Sequence, residues 1–331
     1  LQRDFALNQP LSPFALAAIE LLDVDSPTYA LDVVSVIEST LDDPRQILMA
    51  QQHAARGEAV GQMKADGIEY DERMELLEEI TWPKPLAELL EPAFETYRGG
   101  HPWVAEFPLS PKSVVRDMIE RSMTFTELVS HYGLARSEGL VLRYLADAYR
   151  ALRQTVPDSA RTEDLEDIIE WLGELIRQVD SSLLDEWESL THPGAEGDEQ
   201  QIAFGADSPR PLSANIRAFK VMVRNAMFKR VELASRRRWD DLAALGDGLE
   251  AEDWEDLLDL YFEEYDEIGT GPDARGPLLF TVEMGPELWR VRQTLHDPQG
   301  DHGWALIGEV NLTESDAAGE VVFDEFEIVE G

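Results

Sequence analysis

The stretch "HYGLARSEGLVLRYLADAYRALRQTV", residues 131–156, combines an apolar stripe with a row of arginines at helical spacing. Apolar residues at i, i+4, i+7 and i+11 predict the buried face of a helix over 137–155. These apolar residues are Val141, Leu145, Ala148 and Leu152. Arginines lie off that stripe, and residues spaced by seven drift only about 20° per step around a helix, so they share a face. The row consists of Arg136, Arg143, Arg150 and Arg153.

Two interpretations of the arginine row are open. In the first, the guanidinium groups contact phosphates or splayed bases of a passing strand. In the second, they form a solvated face that pairs with neighbouring Asp and Glu side chains, which adds little to stability. The spacing alone does not choose between them.

Composition limits the classes of partner. The chain has 331 residues, which suits two or three domains, and its 44% hydrophobic content is typical of a globular protein. Against 28 Lys and Arg stand 67 Asp and Glu, for a formal charge of −39. Such a chain repels phosphate, so nucleic acid could bind only at a local basic patch.

The lack of cysteine and of long apolar runs indicates where in the cell the protein is expected. The chain has no cysteine, which excludes disulfides and thiolate metal sites. No apolar run is long enough to span a bilayer, so we expect a cytoplasmic protein with no membrane partner. The chain begins with Leu1 rather than Met, which indicates a piece of a longer protein.

The first 190 residues read as a helical bundle. Four helix starts pair a capping residue with proline, at Ser12, Ser26, Asp43 and Ser110, and Thr124 has capping-box spacing with Glu127. The helices are predicted over 13–23, 28–41, 44–65, 70–80, 85–98, 111–121, 125–133, 137–155 and 162–188.

A Gly- and Pro-rich linker over 191–212 separates this bundle, residues 1–190, from a second domain over 213–331. That domain is predicted to begin with two helices and to end with an antiparallel meander, which makes it a small α+β domain with a curved sheet. Its helices are predicted over 213–238 and 252–267, its strands over 278–283, 288–296, 303–312 and 320–329, and its hairpin turns over 297–303 and 315–320.

A second basic segment covers residues 210–238, which contain nine Lys and Arg residues and only one acidic residue, Glu232. We count three of its residues as candidate nucleic-acid contacts: Arg217, Lys220 and Arg224. The alternative is neutralisation within the domain by the acidic run "EAEDWEDLLDLYFEEYDE", residues 250–267.

Sequence signals for chemistry are missing. There is no phosphate-binding loop of the G-x-x-x-x-G-K-[ST] type, and the glycine-rich residues 269–276 follow no predicted strand. The six histidines lack the spacing of a zinc site. We therefore predict no catalytic residue, metal or cofactor in this chain.

Residues 116–155, which include "MIERSMTFTELVSHYGLARSEGLVLRYLADAYRALRQT", resemble the C-terminal helical domain of superkiller-type and exosome-associated DExH RNA helicases. The resemblance is carried by Thr124-Phe125, Glu138-Gly139, Leu142-Arg143 and Leu152-Arg153-Gln154. Residues 1–190 more specifically resemble the uncharacterised module that ends large actinobacterial DEAD/DEAH-box helicases, through "DFALNQPLSPFALAAIELLD" and "VDSSLLDEWESL".

That resemblance implies upstream RecA-like motor domains that use ATP and Mg²⁺, and a bundle with one ratchet helix beside a translocating single strand, RNA more than DNA. Arg143 matches a basic position of the family, whereas the next two basic positions fall on Ala146 and Asp147. The motor motifs are missing from this chain, so by itself it is expected neither to hydrolyse ATP nor to unwind.

The second domain resembles cystatin-like or nuclear-transport-factor-like folds, which serve several functions. One alternative to the strand-guiding role is therefore a protein-interaction or dimerisation module that acts through residues 213–331. The other is an enzyme with its site in the cavity of that domain.

Overall fold

The computed structural model describes residues 10–180 and 211–330. They form two compact units, which are described separately below. Of the described residues, the first unit takes 10–165 and 175–180, and the second takes 166–174 and 211–330. The fold is mostly helical, with a small antiparallel sheet near the C-terminus, as the sequence predicts.

Helices α1–α9 fall within a few residues of most predicted ranges. Their bounds are α1 Ser12–Ile19, α2 Tyr29–Ser39, α3 Arg45–Ala65, α4 Tyr70–Glu79, α5 Ala87–Gly100, α6 Val115–Glu120, α7 Phe125–His131, α8 Glu138–Thr155 and α9 Glu163–Asp180. The end of the helix predicted over 162–188 and the predicted linker up to residue 210 lie outside the described residues. The predicted boundary at residue 190 stays a prediction.

The apolar stripe of α8 is confirmed. Val141, Leu145 and Ala148 are fully inaccessible to solvent, and Leu152 is nearly so. Because α8 also buries apolar side chains on either side of the stripe, it lies against α1 and α2 at the centre of the first unit. Its backbone is therefore held rigidly, which fixes where its exposed residues point.

Of the four predicted proline-linked caps, Ser26 accepts at Oγ from the Thr28 amide over 3.3 Å just before α2, and the others do not cap the first residues of their helices. Helices α1, α2, α3 and α6 follow Leu11, Thr28, Pro44 and Val114, and none of these accepts a capping hydrogen bond with its side chain. The capping box of α7 is confirmed, with the Glu127 amide donating to Thr124 Oγ1 over 3.2 Å.

The start of α6 is capped by a carboxylate from another helix. Glu38, fully buried on α2, accepts hydrogen bonds at Oε1 from the amides of Val114 and Val115, over 2.8 and 3.0 Å. The Tyr144 hydroxyl donates to the same oxygen over 2.9 Å. Burial raises the pKa of Glu38, and the amide donors oppose that rise. This distant cap explains why α6 begins at Val115 and not at residue 111.

The end of α2 is capped in return by Lys112, whose side chain is fully buried. Its Nζ donates to the carbonyls of Glu38, Leu41 and Ser110 over 2.8–2.9 Å and lies 3.2 Å from Asp43 Oδ1. Burial lowers the pKa of Lys112, and the Asp43 carboxylate opposes that change. We call the Glu38 and Lys112 side chains with these partners the reciprocal cap.

Helices α3 and α4 form a hairpin that buries little. On α3 the buried residues are Ile47, Leu48 and Gln51, all within its first two turns, and α4 has none. Gln52 Nε2 donates to the Ile80 carbonyl over 2.9 Å, which closes the base of the hairpin. Most of the hairpin therefore rests on contacts between its own two helices.

Besides residues 166–174 of α9, the described part of the second unit contains three α-helices, a meander and a short helix inside its last connection. The helices are α10 Ile216–Ser235, α11 Trp239–Ala243, α12 Ala251–Glu264 and α13 Leu312–Ala318. The strands are β1 Phe280–Met284, β2 Leu288–Thr294, β3 Trp304–Asn311 and β4 Phe323–Glu330, paired antiparallel in the order β1-β2-β3-β4. The predicted meander is thus confirmed.

One face of the sheet packs on α10 and α12. Phe219 of α10 meets Trp289 of β2 edge to face, with ring centroids 5.0 Å apart, and Trp254 of α12 lies 4.9 Å from Phe326 of β4. Alternate residues of each strand face this core, because side chains alternate across a sheet.

The turn predicted over 315–320 is wrong in kind. Residues 312–318 form α13, with the Asn311 side chain accepting from the Glu314 amide over 3.1 Å. Gly319, with φ +75°, ends the helix in the left-handed region that glycine adopts without strain. Composition predicted a reversal of the chain here but not that a helix of about two turns would make it.

A buried ion pair ties α10 to the loop before α12. Arg230 Nε donates to Asp247 Oδ2 over 2.7 Å, and both side chains are almost fully buried. The guanidinium lies 4.4 Å from the Phe323 ring centroid, and a Cβ at Gly308 would come within 2.9 Å of that ring and of Phe326. Glycine at 308 therefore makes room for the rings on which Arg230 stacks.

We expect Glu38→Ala to lower the free energy of unfolding by about 3 kcal/mol, because two buried amides and a buried hydroxyl lose their acceptor. Denaturant unfolding of the purified chain measures this change. Glu75→Ala, on the exposed face of α4, is the control and should stay within about 0.5 kcal/mol of the original chain. Equal stabilities of the two variants would contradict the role of the reciprocal cap.

Asp297 in the hairpin turn between β2 and β3 gives a pH dependence. Burial alone would raise its pKa, but amide donors from His302, Asp301 and Gln299 outweigh burial and hold the pKa below the ordinary value of an aspartate. Its ionised form therefore stabilises the fold above that ordinary pKa, and this contribution is lost as pH falls through the lowered pKa.

We therefore expect Asp297→Asn to be less stable than the original chain near neutral pH, with a difference that shrinks on acidification below the ordinary pKa. Unfolding curves measured from pH 7 downward test this. A difference that stays constant across that range would show that Asp297 does not act through its charge.

Candidate nucleic-acid interface

Arg143 projects from the solvent face of α8. The helix forms because its other positions bury apolar side chains, and Arg143 lies opposite that stripe and is exposed. Within the described residues it forms no ion pair. Burial raises the pKa of Asp147, one turn along α8, and the positive charge of Arg143 opposes that rise.

Arg136 precedes α8 and lies in the turn after α7. Gly133 has φ +62°, which ends α7 and reverses the chain before Glu138 opens α8. Arg136 therefore lies outside α8, although its seven-residue spacing predicts that it shares a helix face with Arg143 and Arg150. Arg136 is nonetheless exposed, and in the described part of the chain it has no ion-pair partner.

Arg150 and Arg153 lie closer to the helix surface. Arg150 Nη1 is 3.3 Å from Asp147 Oδ1, with 29% of the arginine side chain exposed. Arg153 lies over the Tyr149 ring at 5.9 Å and is half-buried. The second interpretation of the row, pairing with acidic neighbours, thus holds for Arg150 and not for Arg143.

An acidic residue divides the row. Asp147 lies between Arg143 and Arg150, and burial raises its pKa while both arginines oppose that rise. At Ala146, the other position where the helicase pattern has a basic residue, the side chain is buried. A basic side chain at position 146 of this fold would point into the core, so the departure there removes no surface charge.

The three candidate nucleic-acid contacts on α10 belong to the second unit and have partners within it. Arg217 Nη1 and Lys220 Nζ each lie 3.2 Å from an oxygen of Asp167, a nearly buried carboxylate of the same unit. Arg224 Nη2 donates to the carbonyl of Arg275, and its guanidinium lies 5.9 Å from the Phe280 ring centroid. The structure thus places these three cations in contacts within the unit.

The alternative drawn from the sequence was that the acidic run at 250–267 neutralises the positive charges of α10. The partners of Arg217, Lys220 and Arg224 lie outside that run. Asp167 is far from α10 in the sequence, and no spacing signal pointed to it. Besides the Arg230–Asp247 pair, the described part of this segment has two local ion pairs: Arg236 with Glu232 over 2.9 Å, and Arg238 with Asp241 over 2.5 Å.

Within the described residues, no three His, Asp or Glu side chains are grouped so that they could hold a metal ion. No helix among those residues is long and apolar enough to cross a bilayer. The reciprocal cap holds buried ionisable groups, but each is engaged in closing a helix end.

A family described as "Domain of unknown function (DUF3516)" matches residues 1–328. This match spans both units and the predicted linker. No curated protein and no solved structure matches the chain.

Proposed function

The chain belongs to the DUF3516 family, whose description assigns no activity, and we propose that it is the accessory C-terminal region of an ATP-dependent DEAD/DEAH-box helicase. In this role it guides single-stranded nucleic acid, RNA more than DNA, beside motor domains that carry the ATP and Mg²⁺ chemistry. The proposal starts from the resemblance of residues 116–155 to helicase C-terminal domains.

One observation carries the strand-guiding role. In a chain with 67 acidic residues, Arg136 and Arg143 are exposed and form no ion pair with any described residue. A cation that remains unpaired among so many carboxylates keeps its full charge for a ligand. Because α8 is anchored by its buried face, Arg143 meets a strand without ordering the backbone first, which reduces the entropic cost of binding.

The expected contacts follow from the positions of the side chains. Arg136 and Arg143 would bind phosphates, which position a strand without reading its sequence. Arg150 can turn from Asp147 to a phosphate, because a partly exposed ion pair is worth little. Arg217, Lys220 and Arg224 rank below these residues as strand contacts, since each already has a partner within its unit.

A second function, association through the α+β unit, is favoured by a different observation. Strand β1 is an edge of the sheet, and exposed apolar side chains stand at both of its ends: Leu278 before it, 91% exposed, and Met284 at its last residue. The opposite edge, β4, carries Asp324, Glu325 and other acidic residues that repel a second acidic strand. We propose that β1 is the edge at which a partner strand or a second copy adds.

For strand guiding, we expect Arg143→Ala with Arg150→Ala to weaken binding of a labelled single-stranded oligouridylate. Loss of two phosphate contacts should also lower the slope of log affinity against log salt by about 1.4, because each contact to a single strand contributes about 0.7. Fluorescence anisotropy over a salt series measures both quantities.

The matched control is Arg45→Ala with Lys64→Ala, which removes two exposed cations elsewhere on the first unit. Asp147→Asn should act in the opposite direction and tighten binding, since it removes the acidic residue inside the row. If the control pair lowers the slope as much as the α8 pair, or if Asp147→Asn has no effect, the strand does not lie on α8.

For association through β1, we expect the chain to form dimers at high concentration and Leu278→Lys with Met284→Lys to abolish them, because charges at an edge strand oppose pairing. Size-exclusion chromatography with light scattering over a concentration series measures the mass. A monomer at every concentration would rule out self-association, and a dimer that survives both substitutions would place its interface elsewhere.

A further inference from the structure

A groove in the first unit lies between α5 and the segment that follows it, residues 105–109. Its volume is about 730 Å³, within the range of ligand-binding clefts. Phe94 and Phe107 provide apolar surface, while Glu88, Glu91 and Glu106 are exposed around it. The groove therefore combines an apolar floor with an acidic rim.

The acidic rim follows from the helix spacing. Glu88, Glu91 and Glu95 recur at i, i+3 and i+7 on α5 and thus share one face of that helix. Phe94 is buried, with its ring edge to face against Phe14 at 4.9 Å, so the floor is anchored in the core of the unit. The rim and the floor are fixed by the same helix.

The donors and acceptors of the side chains that line the groove indicate which kind of ligand fits it. Ionised carboxylates only accept hydrogen bonds. Among the side chains that line the groove, the only donor is Arg98, which already donates from Nη1 to Glu95 Oε1 over 2.8 Å. Arg98 keeps further N–H donors, but four glutamates line the groove against its single charge, so the groove favours a ligand with positive charge.

Pro92 lies inside α5 and has no amide hydrogen, so the Glu88 carbonyl four residues earlier lacks its usual α-helical donor. Both residues line the groove beside the carboxylates.

We propose that this groove binds a basic peptide segment of a partner protein, one in which lysine or arginine residues flank an aliphatic or aromatic side chain. The basic side chains pair with Glu88, Glu91 and Glu106, and the apolar side chain rests on Phe94 and Phe107. Phosphate is repelled from the same surface, so this site is distinct from the proposed strand surface on α8 and does not depend on it.

The test uses the whole chain and a fluorescein-labelled peptide in which lysine and arginine alternate with leucine. We expect saturable binding at physiological salt, and weaker binding of a peptide with serine in place of leucine. The variant Glu88→Gln, Glu91→Gln and Glu106→Gln should weaken binding of the first peptide at least about tenfold, since three opposite charges are lost at one site.

The control is Glu75→Gln, Glu78→Gln and Glu79→Gln on α4, which removes the same charge from an exposed surface outside the groove. It should change the affinity less than about twofold. Thermal unfolding checks that both triple variants remain folded, as expected for exposed, nearly isosteric substitutions. Equal effects of the two triples, or an absence of saturable binding, would overturn the proposal and leave only attraction to an acidic chain.

Discussion

The reciprocal cap holds the first unit together. Glu38 closes the start of α6, and Lys112, three residues before that helix, closes the end of α2. Each buried charge satisfies backbone groups that the other helix leaves without a partner, so removal of either side chain exposes uncompensated polar groups in the core. The Tyr144 hydroxyl joins α8 to the same oxygen of Glu38, and the position of α8 thus depends on this pair.

That dependence links the core to the charged surfaces. Arg143 faces solvent because Tyr144 and Val141 are fixed inside, and the rotation of α8 leaves no other side for position 143. The acidic groove beside α5 is built on the same unit and has the opposite sign. One scaffold therefore presents a cationic row and an anionic cleft, which suits two ligands of opposite charge rather than one.

Local patterns in the sequence predicted much of the fold. The apolar spacing of α8, the capping box of Thr124 and Glu127, and the alternating strands all depend on residues close in sequence, and the structure confirms them. The cap of α6 could not be found in this way, because Glu38 lies 76 residues from Val114. A capping rule that considers only neighbouring residues assigned the helix start to residue 111.

The candidate site shows the same division. Spacing predicted correctly that Arg143 lies off the buried face, but it also placed Arg136 on that helix face, and Arg136 lies in the turn between α7 and α8. Nor could it show that Arg217 and Lys220 share Asp167, since that pairing needs the fold. The strand-guiding role and the likeness of the second unit to cystatin-like folds remain predictions.

Beyond Gln51 the α3–α4 hairpin covers almost no core surface. Its opening therefore costs far less than global unfolding, and it forms a separate cooperative element whose amides exchange with solvent while the rest of the bundle stays closed.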